Sequence, residues 1–123
     1  MKNIILVFIG GGAGSALRYL LGRWLNNSQN GIPYGTFVAN ILGSFLIGYI
    51  LGWALKNNTL SSSTTLLLAT GFCGGFTTFS TFAYENHLML KSGDLFNFAS
   101  YTLLSLLLGF SAVFTGIWLS KFS

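Results

Sequence analysis

Apolar positions dominate four stretches of the chain, near residues 4–25, 34–55, 64–90 and 95–119. Each reaches the ~20 residues that an α-helix needs to cross a bilayer core. Short polar segments separate them. NNSQNGIP, Asn26 to Pro33, is rich in turn residues. KNNTLSSS, Lys56 to Ser63, offers a serine or threonine as the cap of the next helix. KSGD, Lys91 to Asp94, makes a tight turn. The pattern predicts an all-α membrane protein of four transmembrane helices, folded as a single four-helix domain over residues 1–123, with no soluble domain.

The third stretch is too long for a straight crossing. As a helix it would extend about 40 Å, against a hydrocarbon core of about 30 Å. It is therefore tilted or interrupted, and Gly74-Gly75 is the natural place for a break. Non-helical backbone at membrane depth is tolerated only inside protein or along a wet cavity. There, freed carbonyls can bind a cation and exposed amides can face an anion. Beyond the glycines, Phe79 and Phe82 share one face, while Ser80, Thr81 and Glu85 give the helix a polar side.

Two other spans carry rows at helical spacing. Asn40, Ser44, Gly48 and Gly52 lie on one face of the second. Tyr101, Ser105, Gly109, Ala112 and Gly116 form a similar row in the fourth. Small residues so placed let backbones approach closely. Asn40 needs a different account, because a primary amide in hydrocarbon is costly without a partner; it is interhelical glue or part of a polar pathway. Tyr101 and Ser105 put hydroxyls one turn apart. In the first span Gly10, Gly11, Gly12 and Gly14 precede Arg18, whose guanidinium snorkels to a headgroup or lies in a wet cavity.

Composition narrows the function. The apolar fraction is 52% and the charged fraction 7%, with Glu85 and Asp94 the only acidic residues. A water-exposed surface of ordinary polarity cannot be built from this. The net charge of +4 comes from scattered residues, which gives no basic patch for nucleic acid. Cys73 is the single cysteine, so an intrachain disulfide is excluded. GGGAGSAL does not meet the dinucleotide-binding glycine pattern, and His87 has only Glu85 as a close acidic neighbour. No enzymatic machinery is visible. The N-terminus, MKNIILVFIGGGAGSA, reads as the first span and not as a cleaved signal.

With four spans both termini share one side. Lys2, Lys56 and Lys121 would lie there, against Arg23 and Lys91 opposite, plus Arg18 if it reaches an interface. Loop Lys/Arg bias sets orientation, and here it nearly vanishes. The chain is therefore either weakly biased to one orientation or inserted both ways as an antiparallel dimer. Four short helices leave little room for an internal aqueous path, which favours a pathway at a subunit interface.

GGGAGSALRY (Gly10 to Tyr19), GTFVANILGSFLIG (Gly35 to Gly48) and GFCGGFTTFSTF (Gly71 to Phe82) together resemble the Fluc, or CrcB-type, fluoride ion channels. The resemblance covers all four spans. It implies an antiparallel, dual-topology homodimer in the cytoplasmic (inner) membrane, with two pores that export fluoride passively. Phe79 and Phe82 would be the aromatic pair of the fluoride pore, Asn40 a polar group in it, and Ser80, Thr81, Tyr101 and Ser105 hydroxyls along the path. Gly74 and Thr77 would offer backbone carbonyls to a structural Na+ at the dimer centre. Glu85 matches an acidic position near a pore mouth and Arg18 a vestibule or path cation. Ser15 stands where the family often has alanine. Two other classes compete. A small dual-topology drug/proton antiporter needs a membrane carboxylate, usually in the first helix, and none is there. A non-transporting assembly subunit would not need Asn40, Phe79 and Phe82 to meet.

Overall fold

The computed structural model describes residues 1–26, 31–57 and 61–123. Its elements are α1 (Lys2–Leu25), α2 (Tyr34–Asn57), α3 (Ser62–Thr65), a π-helical segment π1 (Leu66–Cys73), α4 (Gly74–Phe76), α5 (Ser80–Lys91) and α6 (Leu95–Ser120). α3, π1 and α4 follow one another directly and form the first half of the third span; α5 is the second half. The spans Lys2–Leu25, Tyr34–Lys56, Ser62–Lys91 and Leu95–Ser120 are each long and apolar enough to cross a membrane. This is the four-helix, multi-pass membrane architecture expected from the apolar pattern.

Polar side chains set the helix ends. The Ser61 hydroxyl accepts from the Thr64 N–H at 3.1 Å, which satisfies an amide that the first turn leaves free. Asp94 does the same for α6, accepting from the Asn97 N–H at 3.3 Å, just after Gly93 turns the chain with φ of 80°. Much of NNSQNGIP, residues 27–30, lies outside the described residues. Its first residue is informative: Asn26 Oδ1 accepts from the Gly35 N–H at 2.6 Å and the Thr36 N–H at 3.3 Å. Asn26, at the end of α1, thereby caps the start of α2. At the opposite end, Lys56 donates to the carbonyls of Lys121 and, at 3.1 Å, Ser123. Lys56 and Lys121 thus lie at one end, as the even number of spans requires.

The helices pack as two tight pairs, α1 against π1 and α4, and α2 against α6. Both pairs depend on missing side chains. A Cβ at Gly75 would strike the Gly11 carbonyl, and one at Gly48 or Gly116 would strike the facing backbone at Val113 or Phe45. In lipid there is little hydrophobic drive between helices, so this close packing supplies much of the association. α5 leans mainly on α6. Leu103, Leu107, Phe110 and Phe114 of α6 remain exposed, an apolar surface suited to lipid or to another subunit.

The third span is broken, but not at Gly74-Gly75. Both glycines lie inside the last helical turn. The chain leaves the helix at Thr77, whose φ of −86° and ψ of 157° are extended, and returns to helical values at Phe79. The glycines serve the contact with α1. The interruption falls where other helices take over the freed backbone groups.

Candidate functional site

Two helices hold the break open. The Thr78 N–H, which a continued helix would send to the Gly74 carbonyl, instead donates to Asn40 Oδ1 at 2.7 Å. Asn40 Nδ2 donates back to the Thr78 carbonyl at 3.1 Å. One amide from α2 therefore satisfies both backbone groups of Thr78, which answers the cost of placing it in hydrocarbon. From the α1 side, Arg18 Nε and Ser15 Oγ both donate to the Gly75 carbonyl, at 3.2 and 3.3 Å. Arg18 thus neither snorkels nor faces open water with this nitrogen. It caps the carbonyl end of a half-helix, where the peptide dipoles favour a cation. Ser15, where the family often has alanine, adds a second donor.

On the far side of the break, the Thr78 hydroxyl accepts from the Thr81 N–H at 3.3 Å and starts α5. Thr77 turns its own hydroxyl back to the Cys73 carbonyl at 3.0 Å. Gly74 lies on an open face: a Cβ there would find only the Ala69 carbonyl oxygen, 3.9 Å away. Among the described residues no three His, Cys, Asp or Glu side chains gather as a metal site. With the Thr78 N–H turned to Asn40, the Gly74 carbonyl loses the partner that a continued helix would give it.

A cavity of about 500 Å³ opens beside the break. Asn40 from α2, Phe79 and Phe82 from the break and α5, and Ser105 from α6 all line it, together with Gly74 and Thr77. The Phe79 and Phe82 rings are 6.1 Å apart between centroids, and Phe79 is 78% exposed. The Ser105 hydroxyl is buried without a hydrogen-bond partner. Ser80 and Thr81 are not on this wall; they belong to the first turn of α5.

Tyr101 lies behind Phe82, with ring centroids 5.1 Å apart. It is 1% exposed and donates its hydroxyl to Glu85 Oε1 at 2.8 Å. Thr36 donates to the other oxygen, Oε2, also at 2.8 Å. Glu85 is thus a bridged carboxylate between α2, α5 and α6. It also lines a second cavity, of about 440 Å³, that Asn26, Pro33 and Asp94 border. Tyr101 thus connects Phe82, on the first cavity, to Glu85, on the second. One residue on, Asn86 donates to the Phe82 carbonyl at 3.1 Å and accepts from the Thr102 hydroxyl at 3.0 Å. This second tether fixes α5 on α6.

Asn40, Phe79, Phe82 and Ser105 therefore meet on one cavity, while Tyr101 and Glu85 join them from behind. Arg18 acts on the opposite side of the break. Thr36 and Asn86 were not singled out from sequence, and Thr78 entered only as a hydroxyl within GFCGGFTTFSTF. Thr36 carried a signal: it stands one turn before Asn40 and extends the row to Thr36, Asn40 and Ser44. Asn86, an amide within the third span, carried the same signal as Asn40, but its partner Thr102 lies on another helix.

Residues 5–117 match the family described as CrcB-like protein, Camphor Resistance (CrcB). The chain is 49% identical over 122 residues to a fluoride-specific ion channel FluC of Gloeothece citriformis, covering 98% of each chain. It is 46% identical over 121 residues to a protein of the same name from Leptospira interrogans, covering 98% of this chain and 95% of the other. Another such protein, from Chlorobaculum tepidum, is 47% identical over 121 residues, with 98% of this chain and 96% of that one covered. A family match across nearly the whole length, with relatives this similar end to end, establishes that the chain belongs to the CrcB-like family.

Proposed function

We propose that the protein is a fluoride-selective channel that lets fluoride leave the cell passively across the cytoplasmic membrane. The observation that carries this reading is the convergence of Asn40, Phe79, Phe82 and Ser105, from three different spans, on one cavity. The fluoride-channel names of the relatives supply the ion. The chemistry agrees. Fluoride is small and strongly hydrated, so a path must return hydrogen bonds for the water that is lost. The unpartnered Ser105 hydroxyl can donate one. Aromatic ring edges carry partial positive charge, and Phe79 and Phe82 can present theirs without a fixed cation that would trap the ion. The path runs past Phe82 and Tyr101 towards Glu85 and the second cavity.

The working unit is an antiparallel homodimer with two such paths. The nearly balanced Lys/Arg distribution and the exposed cavity wall at Phe79 support this. Gly74 and Thr77 of each copy hold a structural Na+ through their carbonyls at the dimer centre. The sodium supplies positive charge that ties two carbonyl-rich breaks together. The drug/proton antiporter has no comparable support: the first span contains no carboxylate, and Glu85 is bound on both oxygens by hydroxyls.

Fluoride efflux from liposomes containing the purified protein tests the reading. Rapid fluoride flux without a proton gradient, and much slower chloride flux, is expected. Equal chloride flux, or none of either ion, overturns it.

A further inference from the structure

The cavity does not stop at Asn40 and Ser105. Its wall continues one helical turn along α2 and α6 to Ser44 and Gly109, and on to Ile47 and Val113. Ser44 follows Asn40 by four residues, so the two share a face of α2. A serine in a helix commonly folds its hydroxyl back onto a carbonyl of the preceding turn, as Ser120 does to Ile117. Among the described residues Ser44 forms no such bond. Its hydroxyl instead faces Gly109: a Cβ built on Gly109 would have Ser44 Oγ as its nearest neighbour, 3.9 Å away. Gly109 itself touches no backbone closely, unlike Gly48 and Gly116, so helix packing does not explain it.

We infer that Ser44 is a further anion-contacting residue, and that Gly109 keeps the space in front of its hydroxyl open. With Ser105 it makes a pair of unpartnered hydroxyl donors on the cavity that Asn40 also lines. A hydrated anion entering there exchanges water for these two donors before it meets Phe79 and Phe82. The site has hydrogen-bond donors and no fixed charge, which suits a small, hard anion that must also leave. This inference rests on the channel reading above.

Fluoride efflux from proteoliposomes is measured as a function of fluoride concentration for the wild type, Ser44→Ala, Ser44→Thr and Gly109→Ala. Loss of a hydrogen bond to an ion predicts roughly tenfold lower flux at low fluoride in Ser44→Ala, with the deficit shrinking as fluoride rises. Ser44→Thr, which keeps the hydroxyl, restores most of it. Gly109→Ala meets Ser44 only at ordinary contact distance, so it folds, yet it lowers flux by narrowing the approach. Wild-type flux in Ser44→Ala overturns the inference and leaves the channel reading intact. A deficit that Ser44→Thr does not relieve, or that is the same at every fluoride concentration, overturns it too, because packing damage behaves that way. A wild-type protein that carries no fluoride sinks the channel reading and this inference with it.

Discussion

Asn40 holds Thr78 by both of its backbone groups, accepting from the N–H at 2.7 Å and donating to the carbonyl at 3.1 Å. The amide thereby replaces two bonds that a continuous helix would have made for itself. It also lines the cavity, so one side chain joins the break to that cavity. Asn40→Asp keeps the acceptor but turns a carboxylate oxygen towards the Thr78 carbonyl. Fluoride flux should fall by roughly tenfold or more, the scale of losing a bond and leaving a buried acceptor opposed. Liposome efflux measures this, and a wild-type rate would remove Asn40 from the site.

Phe82→Ile tests the aromatic pair. The substitution removes the ring packed 5.1 Å from Tyr101 but leaves the Asn86–Thr102 tether, which binds the backbone of residue 82 and not its side chain. Flux should drop while the protein elutes at the wild-type volume in size-exclusion chromatography. Undiminished flux refutes a role for the ring.

Gly75→Ala sets a methyl group against the Gly11 carbonyl. Overpacking of this kind costs about 1–3 kcal/mol, and it separates α1 from α4 where Arg18 and Ser15 reach the break. A lower thermal midpoint in detergent is expected. Gly12→Ala is the control: a Cβ there meets nothing within 4 Å, so its midpoint should match the wild type.

The Tyr101–Glu85 bond can be isolated by a double-mutant cycle. Tyr101→Phe and Glu85→Gln each disturb one shared hydrogen bond, worth about 1.5–3 kcal/mol when a charged group is involved. The combined loss should fall short of the sum by about 0.5–3 kcal/mol, as for residues in direct contact. Strict additivity in denaturant unfolding would show that the pair is not coupled.

Exchange of sodium for N-methylglucamine tests the carbonyl site at Gly74 and Thr77. An organic cation too large for a site of four backbone carbonyls cannot replace sodium, so flux and thermal stability should both decline and return when sodium is restored. Identical behaviour in the two buffers would discard the ion.

Much of the architecture was legible because membranes impose it. Every backbone group in hydrocarbon must be satisfied internally, so four long apolar stretches had to be helices. The small-residue rows gave the packing faces of α2 and α6, as Gly48 and Gly116 bear out. Asn40 stood out because an amide there demanded a partner. The sequence also showed that the third span was too long, but misplaced the break. Glycine permits an interruption without requiring one, and here Gly75 was already committed to the contact with Gly11.

By itself, then, the sequence determined the number of spans, their helical nature and the residues that could not sit idle in lipid. These follow from local periodicity and from the cost of unpaired polar groups, both of which one segment can express. Only the tertiary structure decided which partners those groups found: Asn40 with Thr78, Arg18 and Ser15 with Gly75, Thr36 and Tyr101 with Glu85. Each bond joins residues on different spans, and no local pattern encodes the rotation and depth at which helices dock. The site of the break followed from the same cause, because the chain leaves the helix where a neighbouring span offers its backbone a better partner.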